Sequence, residues 1–200
     1  AYLAQARVTP ATYLDLLARY PARMFSATAE GGDERRTAAR IWRVTLDRLA
    51  GTPLAGHVLR VLAWWAPEAV PRTLLAGLAD EPDLVDALGR LAAHSMITLT
   101  GTTVTVHRLV QAITRTPDPH DPHRRARASD AARATAAATL HAAVLDRDPA
   151  DPEDWPHHQL LLPHARALLG HVDPDADTAD TCALLHQFGK YSNARGDVTS

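Results

Sequence analysis

The chain has one cysteine, Cys182, among its 200 residues. A single thiol excludes an intramolecular disulfide and a thiol-based zinc cluster. Cys182 falls in an apolar helical stretch, so a buried structural thiol is expected. The chain lacks any apolar run of about 18 residues that could span a membrane, and it lacks a secretory leader pattern. A cytoplasmic protein without a membrane partner is expected. Phosphate-binding glycine loops of the form GxxxxGK[ST] or GxGxxG are missing, as are the GxSxG and HExxH patterns. No catalytic residues are therefore expected, and this chain by itself is not expected to be an enzyme. A charge excess is missing too. Lys+Arg number 21 against 23 Asp+Glu, for a formal net charge of −2. That balance gives no general attraction to nucleic acid or acidic membranes. Lysine is nearly absent, Lys190 being the only one.

What is present is globular: 46% apolar and 22% charged residues. The apolar positions recur mostly at helical spacing. Residues 1–20 read as helix broken near Pro10, with Tyr13, Leu14, Leu16, Leu17 and Tyr20 on one face. Residues 21–36 read as a loop. Residues 37–50 form an amphipathic helix around Ile41, Trp42, Leu46 and Leu49, stopped by Gly51. Residues 54–65 give the cleanest stripe: Val58, Val61, Leu62 and Trp65 fall at i, i+3, i+4 and i+7. Pro71 opens a short helix carrying Leu74, Leu75 and Leu78. A further helix from Asp80-Glu81-Pro82-Asp83 turns Leu84, Val85, Leu88, Leu91 and Ala92 inward. Pro117, Pro119 and Pro122 mark a linker over 117–122. A long alanine-rich helix over about 123–147 follows, with Arg124, Arg125 and Arg127 as its solvated start. Trp155–Gly170 is helical, with Pro163 kinking or splitting it. An acidic turn over 173–177 precedes a last helix with Leu184, Leu185, Phe188 and Tyr191 inside. The chain starts at Ala1 without an initiator Met and stops in mid-pattern at Ser200, so a piece of a longer protein is expected.

One stretch breaks the helical pattern. Met96 to Val106 alternates about Gly101-Thr102, which fits a two-residue type II′ turn. The predicted register pairs Thr100 with Thr103, Leu99 with Val104, Thr98 with Thr105 and Ile97 with Val106. Apolar residues then share one face and threonines the other. Leu109, Val110 and Ile113 return to helical spacing over about 107–115. His107 therefore stands where a strand hands over to a helix N-terminus, a position that favours anions. Helices with one apolar face each and a half-buried hairpin suit a winged-helix plan. They can close a core of about 80 residues, a marginal but independent size.

Eleven histidines raise the question of a metal. His157, His164 and His171 share a helical face, and His120 and His123 are three apart. Pro163 breaks the register and no acidic residue joins at ligand spacing, so surface histidines and no metal site are expected. DNA is also a poor partner. The helix before the wing holds Asp83 and Asp86 against Arg90 alone, and the wing tip Gly101-Thr102-Thr103 carries no cation. Phosphate contacts supply most affinity for DNA.

The run Val106-His107-Arg108-Leu109-Val110-Gln111, behind a hairpin and several helices, resembles the winged-helix subdomain of bacterial STAND-class (NB-ARC) NTPases. Val106 takes the Met place of that family's Met-His-Asp motif, His107 the His place, and Arg108 the Asp place. The resemblance implies that His107 senses the ADP phosphate in the full-length protein, with Arg108 beside it. ADP or ATP with Mg would be held by the parent protein, and none by this chain alone. Residues 1–33 then resemble the end of a preceding helical subdomain with its loop, and 34–116 the winged-helix subdomain. Residues 117–122 are the linker. Residues 123–175 resemble a helical connector, through Trp155-Pro156 and Leu161-Leu162-Pro163-His164-Ala165. Residues 176–200 resemble the start of a tetratricopeptide repeat, through Leu185, Phe188, Gly189 and Gly196. The implied function is signal transduction: nucleotide state is coupled to a ligand-sensing repeat domain. The implied partners are the preceding nucleotide-binding domain in cis, protein or peptide ligands of the repeats, and further copies on activation. The alternatives are a DNA-binding winged-helix regulator and a protein-interaction scaffold without a nucleotide role.

Overall fold

The computed structural model describes residues 42–49, 51–171 and 178–196. The expectations for 1–36, for Ile41 and for the acidic turn at 173–177 lie outside the described residues. Residues 42–48 are helical (α1), and Trp42, Leu46 and Leu49 are buried as the periodicity predicts.

Helix α2 spans Pro53–Leu62, opened by a proline whose missing N–H costs nothing in a first turn. Val58, Val61, Leu62 and Trp65 are all buried. The regular helix stops three residues short of the expected 65. Trp64 and Trp65 donate to Val61 and Leu62, a tightening of the last turn into i→i+3 bonds.

Ala69 takes a left-handed conformation (φ 55°) and turns the chain into β1, Val70–Pro71. This strand was not foreseen: two residues, one of them proline, show no period. A 3₁₀ turn at Arg72–Leu75 replaces the expected short helix and buries Leu74 and Leu75. Helix α3, Glu81–Ala93, carries Glu81 and Asp83 at its positive end. Its buried stripe is Leu84, Ala87, Leu88 and Leu91. Val85, expected inside, is 51% exposed, because one residue on from Leu84 lies about 100° around the helix.

Helix α3 ends in a Schellman motif. The Ser95 N–H bonds the Ala92 carbonyl and the Met96 N–H bonds the Leu91 carbonyl, with Ser95 left-handed (φ 57°). The chain leaves it as β2, Ile97–Leu99, which pairs with β3, Thr103–Val106. The register is the predicted one: Ile97 faces Val106, Thr98 faces Thr105 and Leu99 faces Val104. Strand β1 adds to the other side of β3, giving the antiparallel order β1-β3-β2. The turn differs from expectation. Gly101 has no positive φ, so the turn is not type II′. The Thr100 side chain closes it instead, its Oγ1 accepting the Thr103 N–H at 2.9 Å.

Helix α4 spans Arg108–Arg115, α5 Ala126–Val144, α6 Trp155–Leu169 and α7 Ala179–Arg195. Helix α6 runs through Pro163 as one helix, where a kink or a split was expected. A capping box between Thr178 and Thr181 starts α7, and left-handed Gly196 (φ 75°) ends it. Leu184, Phe188 and Tyr191 are buried as expected, but Leu185 is 51% exposed and Cys182 is exposed. Both lie off the inward stripe of Thr181, Leu184, Phe188 and Tyr191.

One apolar cluster runs from Trp42 to Tyr191. It crosses the proline-rich stretch because α5 packs on α2, with Trp65 Nε1 donating to the Ala136 carbonyl at 3.3 Å. Arg124 is not a solvated helix start. It lies over the Trp42 ring and bonds Asp118 and Asp121. Among the described residues, no helix is long and apolar enough to cross a membrane.

Candidate functional site

The site begins at the end of β3. Val106 is buried and its N–H donates to the Pro67 carbonyl at 2.7 Å, which fixes the strand end. His107 is extended (φ −62°, ψ 133°) and is the N-cap of α4. Its carbonyl accepts the Gln111 N–H, the first bond of the helix. Its Nδ1 accepts the Leu109 N–H at 3.2 Å. A ring nitrogen that accepts carries no proton, so the neutral ring bears its hydrogen on Nε2. His107 and Arg108 are both exposed, and the first turn of α4 holds no acid. The ring thus satisfies one orphan amide and keeps one N–H donor, beside a cation, at the positive end of a helix.

The buried face of α4 is held by polar bonds. Gln111 Nε2 donates to the carbonyls of Leu62 and Trp65, both at 3.0 Å. Arg115, one turn on, donates to the Ala63 carbonyl. These three carbonyls lie at and just after the end of α2, where backbone acceptors run short of intrahelical partners; the Leu62 carbonyl also takes the Trp65 N–H. Trp42 Nε1 donates to Thr114 Oγ1 at 3.2 Å. Every position of the Val106–Gln111 run except Arg108 thus has a structural task or a partly buried side chain. Sequence reasoning did not foresee Gln111 or Arg115 as helix caps, because their partners lie about fifty residues away. Burial pushes the Arg115 pKa down to about 10. Burial, reinforced by Arg115, pushes His171 down to about 4.

The expected histidine face does not converge. His157 bonds the Ala143 carbonyl at 2.8 Å. His164, 2% exposed, sits against the Ala69 backbone, and burial lowers its pKa. His158, also far from the expected surface position, is fully buried and stacked on Tyr191 at 5.3 Å. Among the described residues no group of three His, Cys, Asp or Glu side chains could hold a metal. The face of α3 offers DNA little, since Arg90 is paired with Asp86 at 2.8 Å.

No family model, curated protein or solved structure matches the chain.

Proposed function

We propose that this chain is a regulatory piece of a bacterial STAND-class (NB-ARC) signal-transduction ATPase. In this reading, residues through α4 form a winged-helix subdomain with the β2–β3 hairpin as its wing. His107 meets the phosphate of ADP held by a preceding domain of the same protein. The observation that carries the reading is the exposed His107 ring, capped through Nδ1 and left with a free Nε2 donor. A neutral donor at a helix N-terminus is suited to a phosphate oxygen. Arg108 stands ready to add charge.

Two features support the remainder. Helices α2 and α3, the hairpin and α4 follow in winged-helix order, with β1 completing the sheet. On α7, Leu185 is 51% exposed and Gly189 faces open space one turn on. In a tetratricopeptide array that side would be covered by the next helix, and the array would receive protein or peptide ligands. The chain itself would hydrolyse nothing; ATP turnover with Mg would belong to the preceding domain, and activation would bring copies together.

The test is the full-length protein with His107→Ala. Losing one charge-assisted hydrogen bond of about 1.5–3 kcal/mol predicts ADP release roughly tenfold faster or more, with higher basal signalling. Unchanged ADP release rules the reading out, as does a parent gene with no phosphate-binding loop upstream.

A further inference from the structure

On another face of the molecule, α1, α2, Pro122-His123 and the first turn of α5 border a recess of about 300 Å³. Leu46, Leu49, Pro53 and Ala128 give it an apolar lining, with Arg60 and His123 as its basic side chains. Among the described residues, no acidic side chain lines it. The Arg60 side chain folds back along α2, so that a Cβ added at Gly56 would meet its Nη1 at 3.4 Å. Among the described residues, no carboxylate pairs with Arg60. Burial lowers the pKa of this guanidinium, and with Arg60 it lowers that of His57. His123 differs: its Nε2 is already engaged by Asp47 at 2.7 Å. Among the described residues, the recess therefore holds one uncompensated cation, Arg60, over an apolar floor.

We propose that this recess binds a small monoanionic carboxylate with a compact apolar body, through the Arg60 guanidinium. A guanidinium presents paired N–H donors that match the two oxygens of a carboxylate. The volume lies at the lower end of ordinary small-molecule sites, about 300–1,000 Å³. A single free cation selects a single charge. A phosphate dianion would leave one charge uncompensated.

The test titrates the isotope-labelled chain with sodium benzoate and follows backbone amide shifts. Saturable shifts at Thr52 to Arg60 and at His123 are expected, with none from benzyl alcohol, the neutral analogue. Arg60→Met is expected to weaken benzoate about tenfold or more, as loss of a charged hydrogen-bond pair implies. Gly56→Leu places a side chain in the recess on a better helix former, and is expected to abolish binding with helical content retained. Should Arg60→Met fail to fold, Gly56→Leu decides. Absent or non-saturable shifts overturn the proposal. So do equal binding of benzyl alcohol, tighter binding of phenyl phosphate, or benzoate binding that survives Gly56→Leu.

Discussion

Gln111 Nε2 lies 3.0 Å from the carbonyl of Trp65, and the same nitrogen lies 3.0 Å from that of Leu62. One side chain from α4 thus closes the open end of α2. A helix ends with carbonyls that have no intrahelical partner, and burial denies them water. The same helix that holds His107 at its first turn is therefore bolted to the core by its second. Arg115 extends the arrangement at the Ala63 carbonyl.

Replacing Gln111 by Met keeps the volume and removes both donors. The Leu62 carbonyl keeps the Trp65 N–H, but the Trp65 carbonyl loses its Gln111 donor, and a buried acceptor left unsatisfied costs about 1–3 kcal/mol. The urea midpoint of Gln111→Met is expected to fall accordingly, with the m-value unchanged. A midpoint within error of the parent would mean that these bonds contribute nothing net.

Ser95 offers the opposite case. It is exposed and sits at φ 57° in the Schellman turn after α3. A left-handed L-residue costs about 1–2 kcal/mol that glycine avoids, and glycine loses part of that gain through its freer unfolded chain. Ser95→Gly is expected to stabilise the protein by about 0.5–1 kcal/mol, read as a rise in Tm. A fall in Tm would show that serine makes a compensating contact there.

The β2–β3 register was legible because a period of two fixes which residues share a face, and the turn length fixes which residues pair. The α2 stripe was legible for the same kind of reason. Local patterns could not reveal that Thr100, not Gly101, closes the turn, since either dipeptide solution satisfies the alternation. Nor could they reveal β1, whose pairing with β3 is set by tertiary contact alone. Cys182 and Leu185 were misassigned to the core because α7 buries only a narrow stripe. At His107 the sequence located the helix start, but which ring nitrogen faces outward required coordinates.

Buried His164 and half-buried His171 predict a pH dependence. His164 has its pKa lowered by burial, partly opposed by a hydrogen bond to Ala69, and its Nδ1 has no partner. His171 falls from an ordinary 6.5 to about 4. A base whose native pKa lies below its unfolded value gains nothing at high pH, where both states are neutral. As pH falls through 6.5 the unfolded chain binds protons that the native chain refuses. Stability should therefore decline from pH 7.5 toward 4. Urea midpoints at half-unit steps test this, and His171→Asn should flatten part of the slope. Stability constant or rising from pH 7.5 to 5 would contradict the burial argument.

Asp121 makes the sharpest energetic case. Its side chain is 4% exposed and is held by Arg124 Nε at 2.9 Å and by the His123 N–H at 2.9 Å. Arg124 also bonds Asp118 and lies 5.6 Å from the centre of the Trp42 ring. Removing one partner of a buried pair strands the other charge, at a cost of about 3–5 kcal/mol. Arg124→Met is expected to show that loss. Asp118→Asn should cost about 1 kcal/mol or less, because Asp118 is 34% exposed and water can replace its partner. The double variant Arg124→Met with Asp121→Asn removes both charges and should regain most of the loss, since a neutral amide is far easier to bury than a carboxylate. A double-mutant cycle in urea measures this directly. Additive losses would place the contribution of Arg124 in its stacking on Trp42 and not in its ion pair.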